Sequence, residues 1–229
     1  MKVGIMQPYF MPYIGYFQLM AAVDQYVVYD DVNYIKGGWV ARNYLIIGGE
    51  KKMFHIELSG ASPNKLFNEI DIKDNFHKLR NTLQTNYSKA PYFTQTMNLM
   101  EQIFSCGDRR LSNFISNSFS VIWSYLSIDT QILMSSEIDK DNTLRGEAKV
   151  IEICKQLKAE KYYNAIGGQE LYDKTRFQQN NIELKFLQPI LKEYPQTSSS
   201  FVPGLSMIDV LMNNSVSDVR KLLDCYELI

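Results

Sequence analysis

The sequence predicts an α/β fold with a mostly parallel sheet flanked by helices, and three observations support this prediction. A strand-helix-strand pattern opens the chain over residues 2–29. Strands and helices alternate again over residues 131–187. The 229 residues are 45% hydrophobic and 21% charged, which is enough to bury one good core. Because strands separated by helices are typical of parallel sheets, we expect a single α/β domain covering residues 1–229.

The first unit begins with a short apolar strand at residues 2–6. Pro8 stops this strand, because proline lacks a backbone donor and forces the preceding residue out of helical geometry. Pro12 can occupy the first turn of a helix, which the apolar pattern extends over residues 13–22. A second strand at residues 26–29 follows, rich in aromatic and β-branched residues. The opening is therefore Rossmann-like.

Such a unit nearly always closes right-handed with parallel strands, and ligands of these sheets collect at the carboxyl ends of the strands. Adjacent carboxylates after an apolar strand are costly to desolvate. Such a pair binds a cation, an amine or a ribose more often than it has a purely structural role. We therefore expect Gln7, Asp30 and Asp31 to be catalytic, and Tyr9 and Tyr13 to contact substrate. The alternative for each tyrosine is a wedge between helix and sheet, since aromatic rings bury much area.

A glycine-bearing connection comes next and holds three candidate substrate contacts, Lys36, Arg42 and Asn43. Of these, Arg42 can clamp a phosphate or carboxylate bidentately. The alternation of apolar residues then predicts a β-hairpin with strands at residues 44–47 and 54–58.

Apolar residues at helical spacing predict a helical segment over about residues 75–126, packed on or inserted into the domain. After it, the strand at residues 131–134 ends before Ser135, and the strand at residues 162–166 ends before Gly167 and Gly168. Small residues there would let a ligand approach the backbone, and the glycines could aim helix amides at an anion. The alternative for the glycine pair is a tight turn.

Polar residues near the end of the chain are expected to return to the site. Tyr194 and Gln196 lie in a proline-bearing connection with too little apolar periodicity for a core, so we predict that they contact substrate in the same pocket as Gln7 and the carboxylate pair. Ser206 and Asp209 have an alternative, in which Ser206 caps a helix and Asp209 lies in its first turn.

Composition excludes several classes of protein. The net charge of -1 gives no basic field for a nucleic acid, and the lysines of residues 149–161 alternate with glutamates as on a solvated helix face. No signal peptide is read before the first strand and no apolar run approaches ~20 residues, so we expect a cytoplasmic protein without a membrane partner. Two histidines and three scattered cysteines predict no metal site; the aspartates alone would hold at most magnesium.

A set of motifs spread in order over essentially the whole chain resembles the WbqC-like family: Gln7-Pro8-Tyr9-Phe10-x-Pro12-Tyr13-x-Gly15-Tyr16-Phe17, Asp30-Asp31-Val32, Arg42-Asn43, Lys89-Ala90-Pro91-Tyr92-Phe93, Ser135-Ser136, Gly167-Gly168-x-x-x-Tyr172, Tyr194-x-Gln196 and Leu205-Ser206-x-x-Asp209. The resemblance implies a role in O-antigen or other surface-polysaccharide (lipopolysaccharide) biosynthesis, as a glycine or aminoacyl transferase to an amino sugar. Members often carry His before the Gln-Pro pair, where this chain has Met6. Any function of that histidine must be absent or replaced here.

From the residues and the resemblance we expect an enzyme that transfers a small acyl or aminoacyl group to the amine of a nucleotide-linked amino sugar. Asp30 or Asp31 would be the base and Arg42 the anion clamp. The donor is open between ATP with magnesium and an activated acyl donor, such as an adenylate or thioester; the charge disfavours a charged tRNA. The opening also resembles that of adenylate-forming nucleotidyltransferases, but their His-x-x-His or His-x-Gly-His signature is absent. The alternative is a noncatalytic component that binds a sugar nucleotide or polysaccharide. The oligomeric state is left open.

Overall fold

The chain folds into ten strands and eight α-helices in a computed structural model that describes residues 1–229. The strands are β1 (Lys2–Met6), β2 (Gln25–Val28), β3 (Arg42–Ile47), β4 (Glu50–His55), β5 (Leu58–Ser59), β6 (Asp71–Ile72), β7 (Gln131–Met134), β8 (Lys161–Ala165), β9 (Glu183–Pro189) and β10 (Tyr226–Leu228). The helices are α1 (Ile14–Ala21), α2 (His77–Tyr87), α3 (Phe93–Phe104), α4 (Leu111–Leu126), α5 (Gly146–Gln156), α6 (Lys174–Gln179), α7 (Met207–Asn213) and α8 (Val216–Leu223). None of the helices is both long and apolar enough to cross a bilayer.

Six strands form the central sheet in the order β10-β9-β8-β1-β2-β7. Neighbouring strands pair parallel, except that β10 runs antiparallel to β9. This arrangement confirms the predicted α/β fold with a mostly parallel sheet. From β1 the chain builds outward through β2 to β7, and then returns to the opposite side of β1 with β8. The strand order therefore reverses between β1 and β8, a place where open α/β sheets bind ligands at their carboxyl edge.

Helices pack on both faces of the sheet. Side chains alternate along each strand, so each strand contributes apolar residues to both faces. In β2, Tyr26 and Val28 belong to the larger hydrophobic cluster, and Val27 to the smaller one. The larger cluster includes buried residues of α1, α7, α8 and the three helices α2 to α4. The smaller one includes those of α5 and α6. The segment predicted to be helical, about residues 75–126, contains α2, α3 and α4, and their buried residues belong to the larger cluster on one face of the sheet.

The hairpin differs from its prediction in its second strand. We expected that strand at residues 54–58, but β4 runs from Glu50 to His55 and pairs with β3 directly across Gly48 and Gly49. Both glycines have positive φ angles, +64° and +80°, which a two-residue hairpin turn of this kind requires. The apolar alternation failed as a signal because Phe54 is the only buried residue of β4.

Candidate functional site

The first group of predicted residues forms a charged cluster at the ends of β2 and β7. Asp31 accepts a hydrogen bond from the Ser135 hydroxyl at 2.7 Å. The ammonium groups of Lys140 and Lys149 each lie 2.9 Å from Asp31 Oδ2, and their side chains are 1% and 3% exposed. Burial raises the pKa of the Asp31 carboxyl, but hydrogen bonds from Lys140, Ser135 and Lys149 outweigh it and leave the pKa below its ordinary value. Asp31 is therefore held as an anion and is a weak base.

The neighbouring carboxylate, Asp30, joins the ends of the same two strands. It is 1% exposed and accepts hydrogen bonds from the Ser136 amide at 2.9 Å and the Ser136 hydroxyl at 2.7 Å. Its main-chain oxygen accepts a further bond from the Asn68 amide at 3.1 Å. No ammonium group lies within ion-pair distance of this carboxylate, so its direct partners are neutral. In this conformation the Asp30 carboxylate is closed to solvent.

Sequence analysis missed both lysines of the cluster. Lys149 was assigned to a solvated helix face, but it is 2% exposed and also donates to the main-chain oxygen of Asp31 at 2.9 Å. The helical spacing indicates this burial, because Lys149 lies four residues before the buried Ile153 and so on the apolar face of α5. Lys140 follows a short 3₁₀ turn, Ser135–Glu137, where no periodicity marks a buried position.

The second group lies at an aromatic cleft of about 260 Å³. The loop before α1 forms one wall, the hairpin and the connection before it form the second, and the residues before α7 form the third. The lining residues, which define the aromatic cleft below, are Tyr9, Tyr13, Trp39, Asn43, Tyr44, Lys51 and Gly204.

Cations without carboxylate partners lie beside the aromatic rings of this cleft. The Arg42 guanidinium lies 5.1 Å from the centroid of the Trp39 ring, and the Lys51 ammonium lies 4.7 Å from that of Tyr44. Arg42 donates to the main-chain oxygen of Gly37 and forms no ion pair. Lys36, the other predicted cation, is exposed and is not among the residues that line the cleft. Cations beside aromatic faces suit a ligand that combines a ring with a negative charge.

Tyr9 and Tyr13 each present a half-buried ring to the cleft. Burial raises the pKa of both hydroxyls, and the nearby Tyr13 adds to the effect on Tyr9, so both remain protonated donors at neutral pH. The Tyr13 ring lies in the space that a β-carbon on Gly15 would need. Tyr13 thus packs against α1, and the Tyr9 ring lies edge-on to Tyr16 of the same helix, while both rings line the cleft.

Two predicted substrate contacts are engaged within the protein instead. Asn43 is 2% exposed, donates to the main-chain oxygen of Met11 at 2.7 Å and accepts from the Tyr44 amide at 2.8 Å. Ser135 is fully buried against Asp31. Asn43 therefore joins the first two walls of the cleft, and Ser135 supports the charged cluster; a ligand contact for either stays a prediction.

Gln7, Gly167 and Gly168 follow β1 and β8, where the strand order reverses. The main-chain oxygen of Gln7 accepts from the Tyr16 hydroxyl at 2.8 Å. A β-carbon on Gly168 would clash with Asn164 Oδ1, whereas one on Gly167 would meet open space. The space left by Gly168 is thus filled by the protein itself rather than left for a ligand.

Tyr194 and Gln196 have a structural partner that sequence analysis did not foresee. Both donate to the buried Asp209 Oδ1, Tyr194 from its hydroxyl at 2.8 Å and Gln196 from its amide at 3.3 Å. The cavities that they line contain neither Gln7 nor Asp30. The alternative for the two last residues is confirmed, since Ser206 caps α7 and Asp209 lies in its first turn. Tyr194 and Gln196 therefore belong to a hydrogen-bonded group centred on Asp209, and a substrate contact for either stays a prediction.

Two further observations concern the rest of the molecule. A cavity of about 590 Å³ lies between α3 and α4 and contains none of the predicted residues. Its lining carries no charge, so the aromatic cleft is the better candidate for an anionic ligand despite its smaller volume. No group of three or more His, Cys, Asp or Glu side chains gathers to hold a metal ion.

Comparison with known proteins gives one family and one relative. The family model described as the WbqC-like protein family matches residues 7–221. The Uncharacterized protein Rv1507c of Mycobacterium tuberculosis (strain ATCC 25618 / H37Rv) is 27% identical over 225 residues, which cover 93% of this chain and 93% of that protein. No solved structure matches the chain. The family match includes the charged cluster, the aromatic cleft and Asp209.

Proposed function

Because the chain belongs to the WbqC-like protein family, we propose that it transfers a small acyl or aminoacyl group, with glycyl as the leading case, to the amine of a nucleotide-linked amino sugar. The product would serve surface-polysaccharide (O-antigen) biosynthesis. The observation that carries this proposal is the aromatic cleft, in which tyrosine and tryptophan rings lie beside cations that no carboxylate neutralises.

The cleft would bind the nucleotide end of the acceptor. A base or sugar ring packs against Tyr9, Tyr13 and Trp39, and the diphosphate takes charged hydrogen bonds from Arg42 and Lys51. A volume of about 260 Å³ is near the lower end of ligand sites, roughly 300–1,000 Å³, so the cleft holds part of the acceptor. The amino sugar then extends out of it.

The chemical step joins the acceptor amine to the acyl carbon. The C–N bond forms, the bond from the acyl carbon to its leaving group breaks, and the amine loses a proton. We assign that proton to Asp30 rather than Asp31, because Lys140 and Lys149 pair with Asp31 and lower its pKa, whereas no ammonium pairs with Asp30. Reaching Asp30 requires its contact with Ser136 to open. The donor is an activated acyl group or an acid activated by ATP with magnesium.

One observation favours a second candidate, a noncatalytic component that binds the sugar nucleotide. Both carboxylates are engaged by the protein, Asp30 by Ser136 and Asp31 by two lysines. A binding protein needs the aromatic cleft but no accessible base. Turnover separates the two candidates.

The test incubates the protein with a dTDP-linked 4-amino-4,6-dideoxyhexose, glycine, ATP and magnesium, and in parallel with a glycyl thioester in place of glycine and ATP. Mass spectrometry of the sugar nucleotide should find one added glycyl group. Arg42→Lys should weaken acceptor binding by about 1.5–3 kcal/mol with little change in melting temperature, because lysine cannot form the bidentate contact. Arg220→Lys, on the exposed side of α8, is the matched control. Binding without turnover would select the second candidate; neither binding nor turnover would reject both.

A further inference from the structure

The three walls of the aromatic cleft meet at the first turn of α7. The Ser206 amide donates to the main-chain oxygen of Tyr44 at 2.9 Å, and the Ser206 hydroxyl donates to that of Met11 at 2.8 Å. The Met207 amide adds a bond to the main-chain oxygen of Pro12 at 2.8 Å. This turn therefore fixes the hairpin and the loop before α1 relative to each other.

Asp209, in the same turn, receives bonds from two other parts of the chain. It is fully buried, and its Oδ2 accepts from the Tyr87 hydroxyl at 2.6 Å. The Tyr87 oxygen in turn accepts from the Ile46 amide of the hairpin at 2.9 Å. Asp209 Oδ1 accepts from Tyr194 and Gln196. One carboxylate thus links the hairpin to the segment that holds Tyr194 and Gln196.

That segment, residues 190–205, is called the strap below. It contains no helix or strand, and it supplies the third wall of the cleft through Gly204. The main-chain oxygen of Pro203 also accepts from the Lys51 ammonium at 3.4 Å. Within the strap, the Val202 amide donates to Gln196 Oε1 at 2.7 Å, so the hold of Asp209 on Gln196 extends to the residues beside the cleft.

We propose that Asp209 is a positioning residue for the aromatic cleft: through Tyr194 and Gln196 it holds the strap against the hairpin, and so keeps Gly204 and Lys51 where an anionic ligand binds. Burying a carboxylate without an ammonium partner costs free energy, and the three hydrogen bonds to Asp209 offset that cost only while the strap and the hairpin stay in place. A carboxylate offers about four acceptor positions and can serve all three donors at once, which an amide oxygen cannot. The proposal deepens the proposed function and rests on its nucleotide-binding cleft.

Two readouts separate positioning from direct binding. Hydrogen exchange measures how often the strap opens. Fluorescence measures binding of dTDP, since Trp39 is 45% exposed in the cleft and the other tryptophan, Trp123, is 3% exposed in the core. The test variants are Tyr194→Phe, which removes only the hydroxyl that Asp209 holds, and Asp209→Asn. Ser199→Ala, at an exposed position of the strap with no hydrogen bond, is the control.

Both test variants should exchange strap amides roughly tenfold faster and bind dTDP roughly tenfold more weakly, since each loses a hydrogen bond to a charged group. The control should match the wild type. Weaker dTDP binding with unchanged strap exchange in Tyr194→Phe would make Tyr194 a direct ligand contact and overturn the proposal, as would unchanged exchange in both variants. If wild-type protein binds no dTDP, a dTDP-linked acceptor is excluded from the proposed function, whereas the exchange data still test whether Asp209 holds the strap.

Discussion

At the scale of single residues, the charged cluster determines how far a substitution lowers the free energy of unfolding. Asp31→Asn removes the carboxylate that two buried ammonium groups share, so the free energy of unfolding should fall by about 3–5 kcal/mol. Glu50→Gln is the control, because Glu50 pairs with Lys52 on an exposed strand and should cost less than ~1 kcal/mol. Urea unfolding of both variants measures the difference. Similar small losses would show that the two lysines find other partners.

The same scale shows why part of the site was predictable from sequence and part was not. The sequence marks Asp30 and Asp31 as candidates because two carboxylates after an apolar strand break the local pattern, and both lie at the strand ends in the charged cluster. Their partners were missed for a physical reason: Lys140 reaches Asp31 from a loop, and a contact across 109 residues leaves no trace in periodicity. The sequence predicts that Tyr194 and Gln196 contact substrate rather than the core, but Tyr194 packs against the larger cluster and both side chains donate to Asp209. A polar side chain in the sequence indicates a hydrogen-bond partner without saying whether that partner is a ligand or another side chain.

At the scale of elements, predictions succeeded where burial imposes a pattern. The strands of the central sheet and the helices α2 to α4 bury one or both faces, so their apolar spacing was informative. Strand β4 has one buried residue, and its pairing is set by the glycine turn rather than by its side chains. The predicted fold class is confirmed, because it depends on buried elements whose apolar spacing can be read from the sequence. The placement of the hairpin and strap, which form the cleft, depends on long-range hydrogen bonds.

Helix α1 offers a test in which local and tertiary preferences oppose each other. Gly15→Ala should favour the helix locally by about 0.5–1 kcal/mol, since glycine is a poor helix former. The new β-carbon would, however, displace the Tyr13 ring, which lines the cleft, from its place against α1. We expect dTDP binding to weaken roughly fivefold, or about 1 kcal/mol. Gly107→Ala, which meets open space, is the control. Calorimetric titration of both variants decides, and unchanged affinity in Gly15→Ala would remove Tyr13 from the site.

At the scale of the whole molecule, the pKa values of the buried Asp209 and the partly buried Asp31 are shifted in opposite directions, which should give stability a recognisable pH dependence. The pKa of Asp209 is raised above its ordinary 3.8, chiefly by burial, so the folded state binds its proton more tightly than the unfolded state does. Its contribution to stability is therefore lost as pH rises from 3.8 through the raised value. The pKa of Asp31 is lowered, so its contribution is present above 3.8 and is lost as pH falls through the lowered value.

The two effects separate when variants are compared with the wild type from pH 3 to pH 7 by urea unfolding. Relative to Asp209→Asn, the wild type should lose stability as pH rises above 3.8, because only the wild type must ionise a buried carboxyl without an ammonium partner. Relative to Asp31→Asn, the wild type should gain stability as pH rises towards 3.8, because the shared carboxylate ionises beside Lys140 and Lys149. Curves that run parallel to the wild type for both variants would contradict this assignment, since they would require both carboxyls to titrate alike in the folded and unfolded chain.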